Sequence, residues 1–78
     1  MEMKVTVYTR QGCVYCMRIK EWMRNNQLQF EEVDVSSMTD LELKSQIKGV
    51  PYTVIQNGAD KEVVLGFNEE KLTRIFLG

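Results

Sequence analysis

Two cysteines, Cys13 and Cys16, stand three positions apart in Thr9-Arg10-Gln11-Gly12-Cys13-Val14-Tyr15-Cys16, and the chain has no others. Thiols at this spacing serve as half of a zinc site, as a short disulfide, or as a dithiol that cycles between reduced and oxidised forms. A structural zinc site usually needs four Cys or His ligands, and a chain with two cysteines and no histidine cannot close one alone. A disulfide across so short a loop removes little freedom from the unfolded chain, because in the chain-entropy account the stabilisation grows with loop length. Redox exchange is the use that remains. In it one thiolate attacks a disulfide, and the second thiol resolves the mixed disulfide that forms.

The elements on either side assign the two roles. Lys4-Val5-Thr6-Val7-Tyr8 is rich in β-branched and aromatic residues and reads as a strand, whereas residues 14–25 place Cys16, Ile19, Trp22 and Met23 on one helical stripe, with Asn25-Asn26 as its stop. Cys13 therefore falls where a strand turns into a helix. The unpaired N–H groups and positive dipole end of a helix start favour a thiolate over a thiol, so Cys13 is the expected nucleophile. Cys16, one turn further and facing inward, is the expected resolving thiol. Arg10, three residues before Cys13, is expected within reach of the thiolate and of a substrate carboxylate.

Beyond the helix, residues 28–35 read as a second strand with Phe30, Val33 and Val35 as candidates for burial, and a strand-helix-strand unit of this length makes the two strands parallel. Thr39-x-x-Glu42 has the form of a capping box, with Leu43 and Ile47 behind it, and predicts a helix from about Asp40 to Lys48 that Gly49 ends. Tyr52–Ile55 and Glu62–Leu65, joined across Asn57-Gly58, predict an antiparallel hairpin. Asn68 can cap a last helix with Glu69 and Glu70 in its first turn and Leu72, Ile75 and Phe76 as its buried stripe. The order is β-α-β-α-β-β-α, an α/β fold whose helices are expected to cover both faces of a four-stranded mixed sheet.

Seventy-eight residues, 44% hydrophobic and 27% charged, make one ordinary globular domain. A net charge of −1 gives no field that would favour nucleic acid, although residues 1–30 hold five basic groups against two acidic, with Arg18, Lys20 and Arg24 on the motif's helix. Glu31, Glu32, Asp34, Asp40 and Glu42 reverse that balance and read as solubility rather than as catalytic carboxylates. No signal-like N-terminus or membrane-length apolar run is present in the sequence. A cytoplasmic monomer is expected, since a redox pair suits a reducing compartment.

This order, with Cys13-Val14-Tyr15-Cys16 after the first strand and Val50-Pro51 before the third, resembles the glutaredoxin branch of the thioredoxin superfamily over nearly the whole chain. Val7-Tyr8-Thr9-Arg10, Gly12-Cys13-Val14, Phe30-Glu31 and Gly66-Phe67 look like the NrdH-like redoxins, small glutaredoxin-like electron donors of ribonucleotide reductase. Tyr15 instead matches the Cys-Pro-Tyr-Cys of glutathione-using glutaredoxins, with Val14 in place of the proline. The resemblance implies a thioredoxin fold and a cis Val50-Pro51 bond beside the sulfurs, with the Val50 backbone turned towards an extended substrate. It also implies a glutathione or substrate site around Gly66-Phe67-Asn68-Glu69. There Phe67 replaces a glycine and would crowd glutathione, while Glu69 keeps an acid that could pair with an amine. Leu65 stands where the redoxins carry Trp, and Asn68-Glu69 where they carry Arg-Pro. The implied function is reduction of protein disulfides, ribonucleotide reductase among them, with no bound metal or organic cofactor. Electrons would come from NADPH through thioredoxin reductase, or from glutathione. A different use known for some glutaredoxins is an iron–sulfur carrier, in which Cys13 of two chains and two glutathione thiolates hold a cluster.

Overall fold

The computed structural model describes residues 3–78. Strand β1 (Met3–Thr9) leads into helix α1 (Val14–Asn25), then β2 (Glu31–Asp34), a single 3₁₀ turn (Val35–Ser37), α2 (Leu41–Gln46), β3 (Tyr52–Asn57), β4 (Asp60–Leu65) and α3 (Glu69–Phe76). The sheet order is β2-β1-β3-β4, with β1 and β2 parallel and the other pairs antiparallel. The expected element order and strand directions are all present.

Register decides which side of the sheet becomes the core. Val5 pairs with Ile55, Val7 with Thr53, and Thr53 with Val64, so these side chains share one face. Ile19 and Met23 of α1 and Leu72 of α3 close over them, and all are buried. The Trp22 and Phe76 rings, 6.3 Å apart, join the two helices along their outer edge. On the opposite face Thr6, Tyr8, Tyr52 and Val54 are only half-buried, with Tyr8 edge-on to Tyr52 at 6.0 Å. Helix α2 contains no fully buried side chain. The two faces are therefore enclosed to very different degrees.

Element ends depart from the sequence expectation for local reasons. Strand β2 covers only the middle of the predicted 28–35 segment. Leu28 is tied back to the helix by its N–H to Met23 O (2.9 Å), and beyond the strand the Asp34 carboxylate accepts the Ser36 N–H and starts the 3₁₀ turn. The cap of α2 is Asp40, whose carboxylate accepts the Leu43 N–H at 3.1 Å, and not Thr39. That helix also stops at Gln46 rather than at Gly49, since Ile47 is already extended on the approach to Val50, which a following proline keeps out of helical conformation. In the hairpin Asn57 pairs with Asp60, which moves the turn to Gly58-Ala59, with Gly58 at φ 62 in the first central position.

The end of α1 carries a testable strain. Gln27 N–H bonds Arg24 O and Leu28 N–H bonds Met23 O, the paired bonds of a Schellman motif, and Gln27 holds φ 58, a region that favours glycine. Gln27→Gly is expected to raise stability by roughly 0.5–1 kcal/mol in urea unfolding. A loss of stability would mean that the Gln27 side chain contributes more than its backbone conformation costs.

Candidate active site

Two elements of the sheet-and-helix layer converge on the cysteines. Strand β1 ends at Thr9, and the Gln11-Gly12 turn, with Gly12 at φ 77, swings the chain into α1. Only glycine takes that conformation without strain. Cys13 then occupies the N-cap with extended backbone, and its Sγ accepts the Cys16 N–H at 3.1 Å. No acidic residue occupies the first turn, where a carboxylate would oppose negative charge on sulfur. Cys13 and Cys16 form a disulfide with Cα atoms 5.2 Å apart. Cys16 is 2% exposed, whereas Cys13 is half-buried and open on one side.

Two concave surfaces lie at the motif, one containing both cysteines and the other meeting it through Tyr15. The first, about 210 Å³, contains Cys13 and Cys16 together with Thr9, Arg10, Lys20, Glu32 and Asp34. Here the Glu32 carboxylate accepts from the buried Thr9 hydroxyl at 2.8 Å and from Lys20 Nζ at 2.9 Å. The Lys20 hydrogen bond and then that from Thr9 hold the Glu32 carboxyl below its ordinary range. Asp34 is held low chiefly by the Ser36 hydroxyl and amide, with the Arg10 charge as a lesser cause.

The second is an open groove of about 520 Å³ that brings together Tyr15, Val50, Pro51, Gly66, Phe67 and Glu69, with Leu65 and Asn68. The Val50-Pro51 bond is cis. Gly66, at φ 77, donates its N–H to Pro51 O at 2.8 Å, so the end of β4 is fastened to the residue that opens β3. Tyr15 stands exposed at the rim with the Arg18 guanidinium 5.7 Å from its ring centre. Val14 and Met17 are exposed beside the cysteines, and Val14 lines neither concavity. A larger concavity, about 680 Å³, lies between the β3-β4 hairpin and α3 and contains no cysteine.

Of the residues singled out from the sequence, Arg10 joins the cysteines on one side and Tyr15, Val50, Pro51, Gly66, Phe67 and Glu69 gather on the other. Sequence reasoning missed that Thr9, Glu32 and Asp34 line the cavity beside the sulfurs; Glu32, read as a solubility residue, is exposed and lines it as well. The signal was the parallel register. Glu32 pairs with Val7 and so projects to the α1 side, where Lys20 follows Cys16 by one turn.

A glycine turn that delivers one accessible and one buried cysteine to the start of a helix defines a thiol–disulfide oxidoreductase with a thioredoxin-like fold. The family model for glutaredoxin matches residues 5–57, and the chain belongs to that family. No curated protein sequence matches it. Among solved structures, it is similar to the thioredoxin-like protein BC3987 (31% identity, 94% of this chain and 100% of that one, TM-score 0.77). It is also similar to the glutaredoxin grx-1 of Archaeoglobus fulgidus (27%, 96% and 87%, TM-score 0.72). The glutaredoxin of Methanosarcina mazei Go1, at 20% identity over 96% of this chain and 79% of that one, shares the fold with a TM-score of 0.76.

The Glu32 network has a pH signature. Its native carboxyl titrates below the ordinary value of 4.5, so the unfolded chain takes up the proton first as pH falls. The stabilisation is complete above that value and is lost as pH drops through the native one. In urea titrations Glu32→Gln should be slightly less stable than wild type at pH 7, and the gap should close below pH 4.5. A gap that stays constant with pH would show that the carboxylate's charge contributes nothing.

Proposed function

We propose that this oxidoreductase is a dithiol reductant of protein disulfides, with Cys13 as nucleophile and Cys16 as resolving thiol. The observation that carries the assignment is the Cys13 sulfur at the N-cap, open on one side and already accepting a backbone N–H, with Cys16 closed off behind it. The Cys13 thiolate attacks one sulfur of the target disulfide, and the other sulfur leaves and takes up a proton. Cys16 then gives up its proton and attacks Cys13 Sγ. The second target thiol departs and the Cys13–Cys16 disulfide remains, two electrons and two protons having passed to the target. No step needs a bound metal or organic cofactor.

The finer reading is an NrdH-like electron donor in the cytoplasm, reduced by thioredoxin reductase with NADPH and serving ribonucleotide reductase. Its support is the groove and the motif residues. Phe67 lines the surface that glutathione would have to approach, and an extended segment of a protein target could lie between Tyr15 and Phe67 along Val50 and Pro51. Glu69 and Tyr15 in that groove support the second reading, a glutathione-dependent glutaredoxin, because a carboxylate there can pair with the amine of glutathione.

Coupled oxidation of NADPH separates the two. Thioredoxin reductase should reduce the oxidised protein faster than glutathione with glutathione reductase does, and Phe67→Gly should raise the glutathione-dependent rate severalfold. Ready turnover with glutathione by the wild type, with no reaction from thioredoxin reductase, would make it a glutaredoxin in function.

A further inference from the structure

We infer that Glu32 is a positioning residue that pins the Lys20 ammonium beside the redox cysteines and cancels part of its charge, which keeps the dithiol a stronger reductant. A cation near a thiolate stabilises the reduced state and makes the disulfide easier to reduce, whereas a carboxylate does the reverse. Lys20 lines the cavity with both cysteines, and its charge is not free, since Nζ lies 2.9 Å from Glu32 Oε2. The same carboxylate accepts a hydrogen bond from the Thr9 hydroxyl, which is thereby engaged. Arg10 and Asp34 face the same cavity and form a second opposed set of charges, with Arg24 more distant on α1. The charge reaching Cys13 is thus a small difference between cations and anions, and Glu32 is the anion placed to set it.

Both partners are partly in solvent, with Lys20 21% and Glu32 40% exposed, so screening limits the effect to a modest size. Glu32→Gln keeps an acceptor for Thr9 and removes only the charge. Lys20→Gln leaves the carboxylate without its counter-charge. The test equilibrates wild type, both single variants and the double variant with dithiothreitol redox buffers, and reads the oxidised fraction by gel-shift alkylation. Glu32→Gln should shift the equilibrium roughly threefold to tenfold towards the dithiol, tenfold being about 30 mV for a two-electron couple. Lys20→Gln should shift it the other way, and the double variant should return to within about twofold of wild type. The alkylation midpoint of Cys13 should fall in the first variant and rise in the second. An unchanged equilibrium in Glu32→Gln, or shifts of both single variants in the same direction, would overturn the inference. Either result would reduce the pair to a tie between α1 and β2.

Discussion

A single backbone N–H, that of Cys16, donated to the sulfur of Cys13 3.1 Å away, is the contact on which the rest of this small domain converges. It exists because Cys13 is the last non-helical residue before α1, where the first N–H groups of a helix lack carbonyl partners. A sulfur in that position is a capping group when neutral and a better one when ionised. Displacing Cys13 by one residue would take the sulfur away from the orphan donors. Gly12 in its left-handed conformation, the buried end of β1 and the Ile19–Met23 stripe that seats α1 on the sheet all hold the junction in place.

The uneven enclosure of the sheet follows from the same arrangement. Helices α1 and α3 share the face on which Val7, Thr53 and Val64 pack, and Cys16 is buried on the same helix as Ile19 and Met23. Cys13 is left half-buried in one of two surfaces that meet the motif. One is polar and charged, built from Thr9, Arg10, Lys20, Glu32 and Asp34. The other is mixed, with Tyr15, Val50, Pro51, Leu65 and Phe67 beside the polar Asn68 and Glu69. In the proposed mechanism the charged surface sets the electrostatics of the sulfurs, and the mixed groove receives a partner's chain.

How much of this was legible depended on the range of the interaction involved. The cysteine pair, the strand before it and helix α1 could be read from neighbouring residues, because the stripe of Cys16, Ile19 and Met23 repeats at helical spacing and Asn68 caps α3 through a side chain three residues from its donor. Thr39 and Asp40 could not be told apart as caps, since both residue types offer an oxygen at nearly the same place. Glu32 and Asp34 looked like solvated strand residues because charge alone does not say which way a side chain points. Only pairing of Val7 with Glu32 across the parallel strands aims the carboxylate at Lys20. The groove residues Val50, Pro51, Gly66, Phe67 and Glu69 lie far along the chain from Cys13, and only family resemblance could associate them with it before the sheet brought them to Tyr15.

In the proposed mechanism the helix start makes Cys13, and not Cys16, the reactive thiol. The most direct measurement is the rate of iodoacetamide modification of the fully reduced protein as a function of pH, with the modified residue identified by peptide mass spectrometry. A single fast site at Cys13 is expected, with a midpoint well below the ~8.5 of a free cysteine. Modification at Cys16 first, or a Cys13 midpoint at or above that of a free thiol, would contradict it.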